Sequence, residues 1–260
     1  MRELEITFLG TGTSNGVPMI GCQCAVCTSP DPRDKRLRTS IQVKTPEMVI
    51  QVDTAPDFRT QCLREGITRL DAVVYTHSHT DHILGFDDLR RFCDLEDKAI
   101  PIYATERTMG DLRRVFEFAF SGQFNYRGYI RPEPHVFNGP FSIGETEIVP
   151  VELPHGRMVT TGLVFRRAGK PLLAYFTDCQ AVPEPAVQAA LGVDTLVLDA
   201  LRRAPHPTHM SVDEAIAVSG QIKPSRTYFT HLCHDLGHAE TERNLPPEIR
   251  VAYDGLRLEI

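Results

Sequence analysis

The sequence predicts an α/β fold, two β-sheets with helices packed outside them, forming one domain over residues 1–260. Three observations predict it. Short apolar-alternating runs recur from end to end, helical patterns fall between many of them, and no linker or internal repeat divides the series.

The elements follow in order. Leu4, Ile6 and Phe8 alternate with Glu5 and Thr7 and run into the turn Gly10-Thr11-Gly12. Segments 41–43 and 49–52 flank Pro46, which predicts a hairpin. Further strands are expected at 72–75, 100–103, 148–151, 172–176, 195–198, 227–229 and 256–260. Helical patterns cover 58–64, 82–92, 107–118, 183–191 and 211–221. The last opens on the capping box Ser211-x-x-Glu214, with Val212, Ala215 and Ile216 on one apolar face. Residues 121–134 are the least patterned stretch, either a lid over a site or an ordinary surface loop.

Composition narrows the function. The chain carries 28 Lys+Arg against 34 Asp+Glu, a net charge of −6, which argues against a protein that coats nucleic acid or an anionic membrane. No run approaches the roughly 18 apolar residues of a membrane span. Acids at Glu3 and Glu5 stand where a signal peptide would place its apolar stretch, so a cytoplasmic location is expected. Seven cysteines are an odd number, three of them within Cys22-Gln23-Cys24-Ala25-Val26-Cys27, which predicts a thiolate metal site in a reducing compartment. Ten histidines are the other excess.

Those histidines concentrate at His77-Ser78-His79-Thr80-Asp81-His82, directly after the strand at 72–75. On a turn, His77 and His79 can converge on one ion while Asp81 and His82 turn to a second, and borderline cations suit such mixed ligation.

The run His77-x-His79-x-Asp81-His82 resembles the signature of the metallo-β-lactamase-fold hydrolases. The resemblance implies an αβ/βα four-layer sandwich, two mixed β-sheets flanked by helices, with a dinuclear site between the sheets. The family also uses a later His, a bridging Asp and a final His at strand ends. This chain offers His155 after the strand at 148–151, Asp178 after Tyr175-Phe176-Thr177, and His231 after Tyr228-Phe229-Thr230. By that likeness His77, His79 and His155 hold one metal, Asp81, His82 and His231 the other, and Asp178 bridges them. Two such ions share a hydroxide whose pKa falls to near neutrality, so the implied chemistry is metal-assisted hydrolysis. The ligand set suits zinc and manganese alike.

Three features bear on the branch. Gly10-Thr11-Gly12-Thr13-Ser14-Asn15-Gly16-Val17-Pro18 resembles the opening loop of phosphodiesterase-type members, tRNase Z and the PhnP phosphodiesterase among them. Cys22-x-Cys24-x-x-Cys27 supplies three thiolates and no near fourth ligand, so three free cysteines are the plain alternative. PhnP-type enzymes look similar here and complete a structural zinc with a His three residues after the last active-site His, which is His234. Cys233 is a competing ligand, and Cys62, Cys93 and Cys179 read as buried thiols. His209, just before the capped helix, matches a non-ligand active-site His of the PhnP-type members, with His206 its rival. Asp53 ends a strand as a family Asp does and is expected to orient a ligand His. Ala55 departs from the Gly that many members carry two residues later. His135 and His238 read as surface residues.

The leading expectation is a dinuclear-metal phosphodiesterase on a small substrate such as a phosphoribosyl 1,2-cyclic phosphate, with Asp81, Asp178 and His209 as catalytic groups and His209 protonating the leaving oxygen. The alternatives are a tRNase Z-like RNA 3′-end nuclease and a non-catalytic PqqB-like metal-binding member. The basic cluster Arg33, Lys35, Arg36 and Arg38, interrupted by Asp34, is read as a solvated face. A homodimer is expected by resemblance only.

Overall fold

The apolar runs pair into two seven-stranded sheets in a computed structural model that describes residues 3–122 and 126–260. The strands are β1 (Glu5–Gly10), β2 (Ser40–Lys44), β3 (Val49–Val52), β4 (Ala72–Val74), β5 (Ile100–Ala104), β6 (Pro132–Val136) and β7 (Phe141–Ile143). They continue with β8 (Thr146–His155), β9 (Met158–Arg167), β10 (Lys170–Phe176), β11 (Thr195–Asp199), β12 (Arg226–Thr230), β13 (Ile249–Val251) and β14 (Arg257–Glu259). One sheet runs β14-β1-β2-β3-β4-β5-β6 and the other β13-β12-β11-β10-β9-β8-β7. In each, four strands are parallel, β3 to β6 and β10 to β13, and the rest pair antiparallel.

The helices are α1 (Phe58–Glu65), α2 (Thr80–Ile83), α3 (Arg90–Glu96), α4 (Glu106–Val115), α5 (Glu117–Phe120), α6 (Glu184–Ala190), α7 (Val212–Ile222) and α8 (His238–Arg243). Three apolar clusters make four layers. Ile6, Phe8, Ile41 and Val52 of the first sheet meet Leu163, Phe165, Tyr175 and Val197 of the second. Phe58, Leu89, Phe92 and Leu112 cover the first sheet outside, and Val187, Ala215 and Ile222 cover the second. Each fully buried Phe or Leu contributes roughly 1.5–3 kcal/mol over its exposed state.

Several expectations change. The helical pattern at 82–92 breaks into α2, a 3-10 turn over Phe86–Leu89, and α3. The break falls at Gly85, where a Cβ would lie 2.2 Å from the Ala55 oxygen while the Gly85 N–H donates to Thr54. The pattern at 107–118 divides at Phe116. Four strands carry no clear sequence signal: β6, β7, β9 and β13. β6 holds two prolines, which a sheet tolerates at its edge. β9 has Gly162 at its centre, where Phe176 packs so closely that a Cβ would stand 2.6 Å from its ring. The capping box of α7 is present, with the Glu214 N–H donating to Ser211 Oγ at 3.4 Å and the Ser211 N–H to Glu214 Oε2 at 2.7 Å.

The basic cluster is a solvated face only in part: Lys35 is exposed, but Arg36 is not. Arg36 is 1% exposed. Its guanidinium donates to Cys233 O (2.9 Å), Leu236 O (2.6 Å) and Asp34 Oδ1 (3.2 Å). His238, expected at the surface, is buried beside this group, and its N–H donates to the same Asp34 oxygen. Arg36→Ala is expected to cost about 3–5 kcal/mol, the typical loss on stripping one partner from a buried ion pair. A lower urea midpoint would show it, and an unchanged midpoint would contradict this role.

Candidate active site

Side chains at the C-terminal ends of parallel strands are free to meet a ligand, because the chain turns away there. β3 runs into Asp53, β4 into Thr76-His77, β10 into Asp178 and β12 into His231, while β11 ends on Asp199 and β8 on His155. Asp53 (φ 59°), Asp178 (φ 55°) and His231 (φ 60°) all adopt the left-handed conformation. Each such non-glycine residue costs of order 1–3 kcal/mol, and residues of this kind concentrate at functional sites.

His77, His79 and His155 place one ligand atom each within 4.8 Å of one another, and Asp81, His82, Asp178 and His231 do the same. Asp178 joins the two sets. Its Oδ1 lies 3.2 Å from His231 Nε2 and 4.0 Å from His77 Nε2, and its Oδ2 lies 3.3 Å from His82 Nε2. Yet His77 Nε2, His82 Nε2 and both His231 nitrogens are buried without a hydrogen-bond partner. Imidazole nitrogens orphaned together, facing carboxylates, are costly unless cations take their lone pairs. This donor set fits two divalent ions.

Hydrogen bonds behind the rings fix their orientation. His82 Nδ1 lies 2.7 Å from Asp53 Oδ2, and Asp53 also accepts from the Thr76 N–H (2.9 Å) and Oγ1 (2.7 Å). His155 Nδ1 donates to Thr208 O at 2.8 Å. Both arrangements leave Nε2 for the cluster. Burial lowers the pKa of His77, His79 and His155, which keeps them in the neutral form that binds metals. His82 differs. Burial opposes its charge, but Asp178, Asp81 and Asp53 push its pKa well above the usual imidazole value. Burial likewise works to raise Asp178, yet His231 and His82 hold it well below the carboxylate range. The centre of the cluster favours a cation.

A cavity of about 380 Å³ opens onto this cluster, lined in part by Ser14, His79, Asp81, Arg157 and His209. A larger one, about 580 Å³, lies beside α4, α5 and β6 and is lined by none of the clustered histidine, cysteine and aspartate residues, so size does not locate the site. His209 Nδ1 is 2.7 Å from Asp199 Oδ2, which also accepts the Cys179 N–H at 2.8 Å. The ring stacks on His231 with centroids 4.6 Å apart.

A second cluster joins distant segments. Cys22, Cys24 and Cys27 Sγ lie 3.2, 3.5 and 3.8 Å from His234 Nδ1. Cys24 is lowered to about 6, first by the Cys27 N–H that it accepts, so it is mostly thiolate at neutral pH. Burial pushes Cys27 up to about 11. Three sulfurs and one imidazole nitrogen within 4.8 Å fit a tetrahedral zinc. Cys24→Ser is expected to remove one ion per chain in metal analysis and to lower the denaturation midpoint. An unchanged ion count would exclude the cysteines as ligands.

Residues 49–232 match the family described as Beta-lactamase superfamily domain. The chain belongs to the beta-lactamase superfamily. It is 43% identical, with a TM-score of 0.91, to a solved structure described as a new diphosphatase from the PhnP family, covering 100% of this chain and 98% of the other. An octanoyltransferase of Porphyromonas gingivalis is 35% identical over 97% of this chain, which spans 51% of that protein, about half its length. A coenzyme PQQ synthesis protein B of Methylorubrum populi is 28% identical over 75% of this chain and 72% of its own. The family match and the PhnP-family likeness place this superfamily member among the metal-dependent hydrolases, in the PhnP-like branch, and its two sheets flanked by helices are the expected αβ/βα sandwich.

The superfamily member also holds a group that sequence reading missed. Asp199 sits one residue past the expected strand at 195–198, and its signal was position: a carboxylate at a strand end, like Asp53 and Asp178. His206, the rival to His209, contacts no carboxylate among the described residues and bonds to Thr208 instead. Cys233 stays outside the cysteine cluster, its thiol accepting the Asp235 N–H. No described residue of 121–134, the stretch read as either a lid or an ordinary surface loop, lines the metal cavity, and 123–125 lie outside the described residues. Met1 and Arg2, part of the N-terminal reading, lie outside them too. No helix among the described residues is long and apolar enough to cross a membrane.

Proposed function

We propose that the chain hydrolyses a small phosphoric diester, cyclic, such as a phosphoribosyl 1,2-cyclic phosphate, or open. The observation that carries this reading is the group of orphaned histidine nitrogens around Asp178, sharing one cavity with the His209–Asp199 pair. His77, His79 and His155 would hold one divalent ion and Asp81, His82 and His231 a second, with Asp178 between. When bound, such ions supply Lewis acidity toward the phosphoryl oxygens and an acidified water. His209 stands at the cavity wall to give a proton to the leaving oxygen. Burial lowers its pKa while Asp178 and Asp81 oppose that shift, and a phosphoryl anion in front of the ring would support the proton further. Asp53 and the Thr208 carbonyl hold the ligand rings while charge shifts in the cavity.

The pairing within the cluster Arg33 to Arg38 favours a small substrate over RNA. A nuclease needs a track of unpaired cations for the phosphate backbone. Here Arg33 pairs with Asp31, Arg38 with Asp57, Lys35 donates to Cys27 O, and Arg36 is buried. The test incubates metal-loaded protein with bis-p-nitrophenyl phosphate, 2′,3′-cyclic nucleotides, a ribose cyclic phosphate and a tRNA precursor. Turnover of the small diesters supports the reading. Cleavage of the tRNA alone would move the assignment to a nuclease, and no turnover by fully metallated protein would favour a binding role.

A further inference from the structure

A second cavity, about 240 Å³, adjoins the first, and Ser14 and His209 line both. If His209 protonates the leaving oxygen, the leaving group departs into this second space. Three features of its lining are prepared for an oxygen-rich anion. Arg202 makes no ion pair with any described carboxylate, and its Nε and Nη2 donate to Ala204 O (3.2 Å) and Pro205 O (2.8 Å), holding the guanidinium against its own loop. His206 stands between Pro205 and Pro207, whose rings stiffen the backbone. Its Nδ1 accepts the Thr208 N–H at 3.4 Å, so in the neutral ring the proton is on Nε2, which is left as a donor. The turn Thr13–Gly16, closed by the Gly16 N–H to Thr13 O at 2.7 Å, uses neither the Ser14 nor the Asn15 amide. Asp235 is the one carboxylate in the lining, with His234 Nε2 3.9 Å away.

We propose that Arg202 and His206 form a leaving-group subsite selective for a leaving group that carries its own phosphate, as in a diphosphate diester. The proposal rests on the hydrolase reading above and extends it to the departing half of the substrate. In that reaction water's oxygen joins the attacked phosphorus, and the bond to the bridging oxygen breaks with its electron pair. The two protons of water are shared between two phosphate monoester products. A guanidinium and a neutral imidazole N–H suit the departing monoester because both are donors, and the first is a fixed cation.

The experiment compares wild type with Arg202→Met, His206→Gln and Asp235→Asn, all metal-loaded. Binding of AMP and of adenosine is titrated calorimetrically, and kcat/KM is measured on diadenosine diphosphate and on bis-p-nitrophenyl phosphate. Expected are an AMP affinity about tenfold weaker in each of the first two variants, tighter AMP binding in Asp235→Asn, and no comparable loss for adenosine. The ratio of kcat/KM for the diphosphate to that for the p-nitrophenyl diester should fall about tenfold in Arg202→Met and His206→Gln. Both leaving groups are weak bases, so loss of a proton donor alone would not move that ratio. An equal loss on both substrates, or AMP binding insensitive to both variants, overturns the subsite. If wild type turns over neither substrate the hydrolase reading fails, and AMP binding alone decides the subsite: sensitivity to both variants upholds it, insensitivity overturns it.

Discussion

Asp178→Ala is expected to lower phosphodiester kcat/KM by about 10³-fold or more and to reduce the bound ions from three per chain to one. The size follows from position. Asp178 is 1% exposed and lies 3.2–4.0 Å from nitrogens of His231, His82 and His77, and no other carboxylate among the described residues is paired with both ligand sets. Metal ions supply several kcal/mol of charge stabilisation to a transition state, and each 1.36 kcal/mol is tenfold in rate. Without Asp178, His82 loses the largest of the three charges that make its surroundings favour a cation. Steady-state hydrolysis of bis-p-nitrophenyl phosphate, with metal analysis of the same sample, checks both parts. Activity within tenfold of wild type, or three ions retained, would remove Asp178 from the centre.

His209→Ala should act differently. Its loss is expected to slow diesters with poor, alkoxide-like leaving groups by about 10²–10⁴-fold, the usual range for a positioned proton donor. With p-nitrophenolate, which leaves without a proton, the loss should be far smaller. Asp199→Asn should shift the same ratio in the same direction, because Asp199 holds the His209 ring through Nδ1 at 2.7 Å. Neither change should alter the ion count. An equal loss on good and poor leaving groups would contradict the proton-donor role, and a lost ion would make His209 a ligand, an arrangement its nearness to His155 and Asp178 permits geometrically.

The parts legible in the sequence share one property: their information is local. The run His77 to His82 carries four candidate ligands in six residues. Asp53, Asp178 and His231 each follow an apolar strand, and the structure brings all of them to one cavity wall or directly behind it. The Ser211 capping box was readable because both partners lie within one turn. What was not legible depends on partners far along the chain. Arg36 looked like one of four surface cations until its acceptors, Cys233 and Leu236, were placed against it from about 200 residues away. His238 is buried by the same contact. β9 hides behind Gly162, which has no side chain to mark a strand and is required because Phe176 occupies the space. Asp199 closes β11 one residue beyond the apolar run at 195–198, with no second residue near it in sequence to mark it as part of a site.

Everything proposed for the reaction depends on the histidine and aspartate cluster being a two-metal centre distinct from the cysteine site. Anomalous diffraction from crystals of metal-loaded protein, collected at the edge of the bound element, tests it most directly. Two peaks are expected among His77, His79, Asp81, His82, His155, Asp178 and His231, and a third among Cys22, Cys24, Cys27 and His234. A filled cysteine site beside a histidine cluster with no anomalous peak would contradict it.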